Sequence, residues 1–267
     1  LRLLPRRHSI VAMTIQFGTE GWRAVIGEEF TVENVQRVTQ AIAEHVHATH
    51  RAAASPIVTV GYDTRFLSDR FARAVCEVLA GTRIRSVLST GAVPTCAVSR
   101  YVVAKRCTLG IVITASHNPA IYNGLKVKEA FGGSATLETV ASIERRLGRS
   151  PVKRVLFDDA VAARTIRPVD LLPSFLQGIR SFIDLAAIRR SRFHVIVDSM
   201  HGTGARLIEG LLTGGTCRIE TIHADPDPLF GGQAPEPIAS HLTELCRTVR
   251  RTRADLGIAT DGDADRL

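Results

Sequence analysis

Short β-branched runs alternate with helix-period segments along most of this chain, and that alternation decides the fold class before any single residue is considered. "TVENVQRVTQAIAEHV" (31–46) places apolar residues at 32, 35, 38, 42 and 46 behind a Thr N-cap, the period of an amphipathic helix. "PIVTV" (56–60) reads as a strand. "SDRFARAVCEVLAG" (68–81) follows as a helix opening on a Ser cap and closing on Gly81. A strand over 84–90, a helix from Pro94 to about Lys105 and a strand over 108–114 complete a βαβαβ series. A helix near 137–147 and a mixed segment from 149 to about 169 come next. The series then restarts with a strand at 192–199, a helix at 204–212, a strand at 217–224, a helix at 238–252 and a last strand at 254–260. The pattern predicts two consecutive α/β/α three-layer domains with mixed, mainly parallel sheets. Their expected bounds are 13–150 and 169–267, with a linker over 151–168 and a non-native or disordered leader over 1–12, ahead of Met13. In such sheets ligands gather beyond the carboxyl ends of the strands, where Ser116 and the final "DGDADRL" both fall.

The formal charge of +8 raises the question of nucleic acid. Only four of the 34 basic residues are lysines, the basic residues are dispersed, and aromatics at 5% are too few for a base-stacking platform. The reading is a basic solvated surface with no nucleic-acid partner, equally suited to anionic substrates. No apolar stretch approaches the ~18–20 residues of a membrane span. Five scattered cysteines without a C-x-x-C pair argue for reduced thiols and a cytoplasmic setting.

Asp261, Asp263 and Asp265 stand at alternate positions, which in extended backbone puts three carboxylates on one side. Two carboxylates about 4 Å apart repel by roughly 4 kcal/mol at an effective dielectric near 20, so three converging call for a hard cation, Mg²⁺ or Ca²⁺. A calcium EF-hand loop is excluded, because Arg266 occupies the position that needs Gly. A solvated acidic turn is the plain alternative. Ser116, in "TASHNP", reads either as the cap of a turn with Asn118 and Pro119 or as a nucleophile or phosphoryl carrier with His117 beside it. A serine-hydrolase elbow is excluded, since Thr114 and Asn118 stand where glycines are required. Lys126 falls on an expected strand. "GTEGWRA" (18–24), a Gly-flanked loop with Arg23, reads as an anion-contacting turn or a packing turn, and "HGTGAR" (201–206) as structural.

Taken together, "FGTEGWRAVIGEEFT", "GYDTRFLSDRFA", "TASHNPAIYNGLKVK", "HGTGA" and "DGDADRL" resemble, in order and rough spacing, the α-D-phosphohexomutases, the phosphoglucomutase/phosphomannomutase family. The resemblance spans about 15–267 and implies a phosphotransferase interconverting hexose 1-phosphate and hexose 6-phosphate through a phosphoserine and a bisphosphorylated hexose, which also serves as activator. It implies Ser116 as the phosphoryl carrier and Mg²⁺ held by Ser116, Asp261, Asp263 and Asp265. Arg23 and Arg266 are implied as phosphate-binding, with Arg23 also among the catalytic residues, and Lys126 and His117 as candidates for acid/base work on the sugar hydroxyl. Ala120, Ile121 and Leu125 depart from the common family pattern. Against the family's four domains the chain is expected to be the N-terminal half, its second domain cut off before a last strand and domains III and IV absent. Low or no activity alone is expected, as is a partner chain carrying the C-terminal half. The alternatives are a phosphoglucosamine mutase and a non-catalytic phosphosugar-binding remnant. The preferred hexose and the oligomeric state are not legible.

Overall fold

The protein is described here from a computed structural model covering residues 15–18, 21–50 and 55–267; the leader expected over 1–12 lies outside the described residues. The first unit runs β1 (Trp22–Val25), α1 (Val32–Thr49), β2 (Ile57–Tyr62), α2 (Ser68–Gly81), β3 (Arg85–Ser89), α3 (Thr95–Lys105), β4 (Leu109–Ile113), β5 (Tyr122–Lys128), α4 (Leu137–Glu144), α5 (Phe157–Ala162) and β6 (Ile166–Val169). After it come α6 (Leu172–Phe182), α7 (Leu185–Arg189), β7 (His194–Asp198), α8 (Leu207–Leu212), β8 (Arg218–Ile222), α9 (Thr243–Thr252) and β9 (Leu256–Ala259).

Two sheets result, ordered β1-β5-β4-β2-β3-β6 and β8-β7-β9. In the first, β2, β3, β4 and β6 are parallel, whereas β5 pairs antiparallel with both β4 and β1. The second is parallel throughout. The mixed, mainly parallel architecture expected from the sequence is therefore present. Because β3 lies on one side of β2 and β4 on the other, the loops leaving β2 and β4 diverge and open a crevice at their carboxyl ends. Phe30, Ile42, Leu79, Ile111, Ile113 and Leu125 are fully buried in the first unit's core. The second unit is thinner, its core resting on Ile196, Leu245 and Ala259. Among the described residues no helix is long and apolar enough to cross a membrane.

Several local expectations need correction. The "GTEGWRA" turn gives way to a strand from Trp22 onward, with Trp22 buried against Phe30 at 4.7 Å between ring centroids. Ser68 does not cap α2: Leu67 holds the cap position, and the Ser68 hydroxyl donates to Asp63 Oδ1 at 2.8 Å. Residues 151–168, read as a linker, contain α5 and most of β6, which pairs with β3 and edges the first sheet. Helix α8 begins three residues later than expected, because Met200, His201 and Ala205 all take positive φ. Helix α9 starts at Thr243 rather than 238, since the chain after Pro235 and Pro237 is still in local turns.

The irregular stretch before α5 is strapped over α1 and α2: Lys153 N donates to Gln40 Oε1 at 3.1 Å and Val155 N to Glu77 O at 3.1 Å. A Cβ on Gly81 would stand 2.5 Å from the Lys153 carbonyl. Alanine gains about 1 kcal/mol of helix propensity over glycine, but overpacking costs about 1–3 kcal/mol. Gly81→Ala is therefore expected to lower the urea midpoint, and an unchanged or higher midpoint would contradict the strap. His45 joins α1 to α4, its Nδ1 2.9 Å from Ser142 Oγ, and burial first and Arg146 second hold its pKa below the ordinary 6.5. The unfolded chain thus protonates first. Its contribution to stability is present above about pH 6.5 and is lost as pH falls through the folded-state value. The urea midpoint should fall between pH 7 and pH 5, and His45→Gln should flatten part of that slope.

Candidate functional site

The crevice beyond β2 and β4 faces the loop that leaves β9, and the seam between the two units gathers most of the residues singled out from the sequence. Ser116, fully buried, adopts φ +54°, a left-handed conformation that costs a non-glycine residue about 1–2 kcal/mol. Its amide donates to Thr114 Oγ1 at 2.8 Å, and its hydroxyl donates to Asp261 Oδ2 at 2.8 Å. Arg266 Nη2 approaches the same hydroxyl at 3.4 Å. The loops meet so closely that a Cβ on Gly262 would lie 2.7 Å from the Ser116 carbonyl oxygen.

Asp261, Asp263 and Asp265 converge, with one carboxylate oxygen from each lying within 4.8 Å of the others. Asp261 and Asp263 are fully buried. Lys126, reaching across from β5, donates to Asp263 Oδ2 at 2.8 Å and to Asp265 Oδ2 at 3.1 Å. Burial first and Asp263 second push the Asp261 carboxyl above the usual carboxylate range. Burial alone would raise Asp263 as well, but the Lys126 ammonium outweighs it and holds Asp263 low. Burial would likewise lower Lys126, yet its two carboxylate partners raise it. Asp263 Oδ1 and Asp265 Oδ1 are buried with no hydrogen-bond donor among the described residues. An oxygen-only donor set with two such carboxylate oxygens fits a hard cation such as Mg²⁺.

Beside this cluster lies an open cavity of about 710 Å³ lined by Arg23, His117, Ser134 and Arg266 with Gln16, Gly18 and Gly21. Arg23 Nη1 donates to Asn118 Oδ1 at 2.7 Å, which ties the cavity wall to the serine loop. His117 has Nε2 3.8 Å from Glu236 Oε1, and burial first and Arg266 second lower its pKa. The structure thus brings Ser116, His117, Lys126, Arg23, Arg266 and the three aspartates together. "HGTGAR" braces the acidic loop: Thr203 N donates to Gly262 O at 3.0 Å.

Two residues were not legible as part of the site. Arg65, whose side chain is fully buried, spends its guanidinium on the serine loop. Nη2 donates to the carbonyls of Ser116 (2.7 Å) and Asn118 (2.6 Å), and Nη1 to those of Pro119 (2.8 Å) and Tyr122 (3.0 Å). Nε donates to Asp63 Oδ2 at 3.1 Å, so all five donors are engaged. The same guanidinium lies over the Phe230 ring of the second unit, 4.9 Å from its centroid. Thr95, at the start of α3, donates its hydroxyl to Asp263 Oδ2 at 2.5 Å. Both stand just past the end of a strand or at a helix start, the one signal the sequence offered.

The profile of "Phosphoglucomutase/phosphomannomutase, alpha/beta/alpha domain I" matches residues 14–151, and that of domain II matches 173–267. A phosphoglucomutase/phosphomannomutase of Thermococcus kodakarensis is 32% identical over 250 residues, covering 94% of this chain and 54% of its own length. A phosphoglucosamine/phosphogalactosamine mutase of Sulfurisphaera tokodaii is 31% identical over 250 residues, covering 94% and 53%. A solved structure from Thermus thermophilus, titled as a candidate phosphomannomutase, superposes with a TM-score of 0.84 at 34% identity, covering 95% of this chain and 56% of that one. The chain spans about half the length of the curated relatives it matches.

Removing one partner of a buried ion pair typically costs about 3–5 kcal/mol. Arg65→Met should therefore lower stability by that order in urea unfolding and speed amide exchange over residues 116–122. A wild-type midpoint with unchanged exchange would show that the clamp contributes nothing.

Proposed function

The chain belongs to the phosphoglucomutase/phosphomannomutase family, and from that premise we propose that it carries the phosphoserine and metal-binding part of a phosphohexomutase. The reaction is the interconversion of hexose 1-phosphate and hexose 6-phosphate. Ser116 is the phosphoryl carrier, and a bisphosphorylated hexose is the intermediate and activator. The observation that carries this reading is the contact of Ser116 Oγ with Asp261 Oδ2 across the seam, which sets the serine against three converging carboxylates.

Asp261, Asp263 and Asp265, with an oxygen of the phosphorylated Ser116, would hold Mg²⁺. Bound there, the cation supplies positive charge to the transferring phosphoryl group. Arg266, already within reach of the Ser116 hydroxyl, and Arg23, across the cavity, add fixed positive charge where a substrate phosphate enters. Asp261 Oδ2 holds the hydroxyl proton of Ser116 before the phosphoryl group arrives. Lys126 and His117 are the candidates for proton transfer with the sugar hydroxyl, the former anchored on the acidic cluster and the latter on the cavity wall. The relatives' names include both neutral and amino hexoses, so the proposal is a hexose phosphate class, with the amino sugar phosphates as the second reading. A cytoplasmic setting belongs to the same proposal.

The direct test is incubation of the chain with Mg²⁺ and glucose 1,6-bisphosphate, followed by intact-mass measurement and peptide mapping. The expected result is one added phosphoryl group on Ser116, absent in Ser116→Ala and abolished by EDTA. Phosphate on another residue, or none on any, would sink the assignment of the carrier.

A further inference from the structure

The fold gives the two carboxylate oxygens of Asp263 opposite roles. Oδ2 receives the Thr95 hydroxyl at 2.5 Å and the Lys126 ammonium at 2.8 Å. Oδ1 is buried and has no donor among the described residues. Thr95 also donates its backbone N–H to the Asp263 carbonyl at 3.0 Å, so one residue grips both the main chain and the side chain of Asp263. Thr95 is itself buried and is the first residue of α3, where backbone N–H groups lack intrahelical partners and the helix dipole favours negative charge.

The two donors on Oδ2 are not equivalent. Lysine is a point charge on a flexible stem, able to follow a carboxylate that turns. The threonine side chain is branched at Cβ and stands on a helix start, which limits the positions its hydroxyl can take. A carboxylate gripped only by the flexible Lys126 stem is less firmly fixed about its last torsion. With Thr95 in place, Oδ2 is committed, and Oδ1 is the oxygen left buried without a hydrogen-bond donor among the described residues.

We propose that Thr95 is a positioning residue for the cation site: its hydroxyl and backbone N–H hold Asp263 so that Oδ1 is the oxygen offered to a hard divalent metal. The proposal rests on the reading of the aspartate triad as a cation site. Outer-shell partners of this kind typically change metal affinity 10–100-fold when removed.

Mn²⁺ is the probe, titrated against the whole chain with its free signal followed by electron paramagnetic resonance. Thr95→Val, close to threonine in shape, and Thr95→Ala should each bind Mn²⁺ about 10–100-fold more weakly. Thr95→Ser, which restores the hydroxyl, should bind as the wild type does. In EDTA the urea midpoints of Thr95→Val and Thr95→Ala should fall modestly, as loss of one hydrogen bond to a buried carboxylate requires, with both variants still folded and Thr95→Ser near the parent. Unchanged Mn²⁺ affinity in Thr95→Val and Thr95→Ala would overturn the proposal. So would loss of folded structure in EDTA in both variants, because the hydroxyl would then hold the seam together and not aim a ligand. If the parent chain itself bound no Mn²⁺, the cation reading would fall and this role with it. Binding by the parent with indifferent variants removes Thr95 alone.

Discussion

Three carboxylates brought into one buried seam are the constraint from which the rest of this structure follows. At about 4 Å and an effective dielectric near 20, each pair repels by roughly 4 kcal/mol. The fold answers with Lys126 from the first unit and Arg266 from the acidic loop itself. It adds neutral donors, Ser116 on Asp261 and Thr95 on Asp263. Every one of those donors except Arg266 comes from the first unit, while the acids come from the second. The charge cluster thereby also joins the two units. The second unit has a thin apolar core of its own, and besides the packing of α6 on α3 it is held by polar contacts: Thr64 Oγ1 on the His201 carbonyl and Arg65 over Phe230 add to the acidic cluster.

This arrangement explains why the serine is buried. Gly262 presses on the Ser116 carbonyl, and Asp261 covers its hydroxyl. The open space lies to one side, walled by Arg23, His117 and Arg266. Under the proposed function, a phosphate arriving there would meet Arg23 and Arg266 before the serine, separating binding of the anion from contact with the Ser116 hydroxyl.

The elements with a full period were legible in the sequence. Helix α1 starts behind Thr31, whose hydroxyl accepts from Asn34 N, and α2 spans the bounds its pattern suggested. The acidic triad and the serine loop were legible because each is a compact motif in a local stretch of chain. Strand β1 was not, since four residues beside glycines offer too short a period, and β6 carries Pro168, which argues against a strand except at an edge, where β6 lies. Arg65 and Thr95 escaped for a different reason. Their partners lie about 50 and 170 residues further along the chain, so nothing local marks them as parts of one site. Lys126 was singled out, but its engagement by two of the aspartates depends on how the units dock, and no spacing in the sequence encodes that.

The Arg65 clamp has a consequence for how this loop can vary. All four of its loop contacts fall on main-chain carbonyls, at Ser116, Asn118, Pro119 and Tyr122, and none on a side chain. The loop is thus held by a feature that every residue possesses. Ala120 and Ile121, two of the positions where the chain leaves the common family pattern, lie between the gripped carbonyls, and the Ile121 side chain is exposed. Substitution there changes what the loop displays to solvent without touching what fixes its course. A single buried arginine has in effect uncoupled the shape of this segment from its spelling, leaving its outer face open to drift while the serine stays where it is.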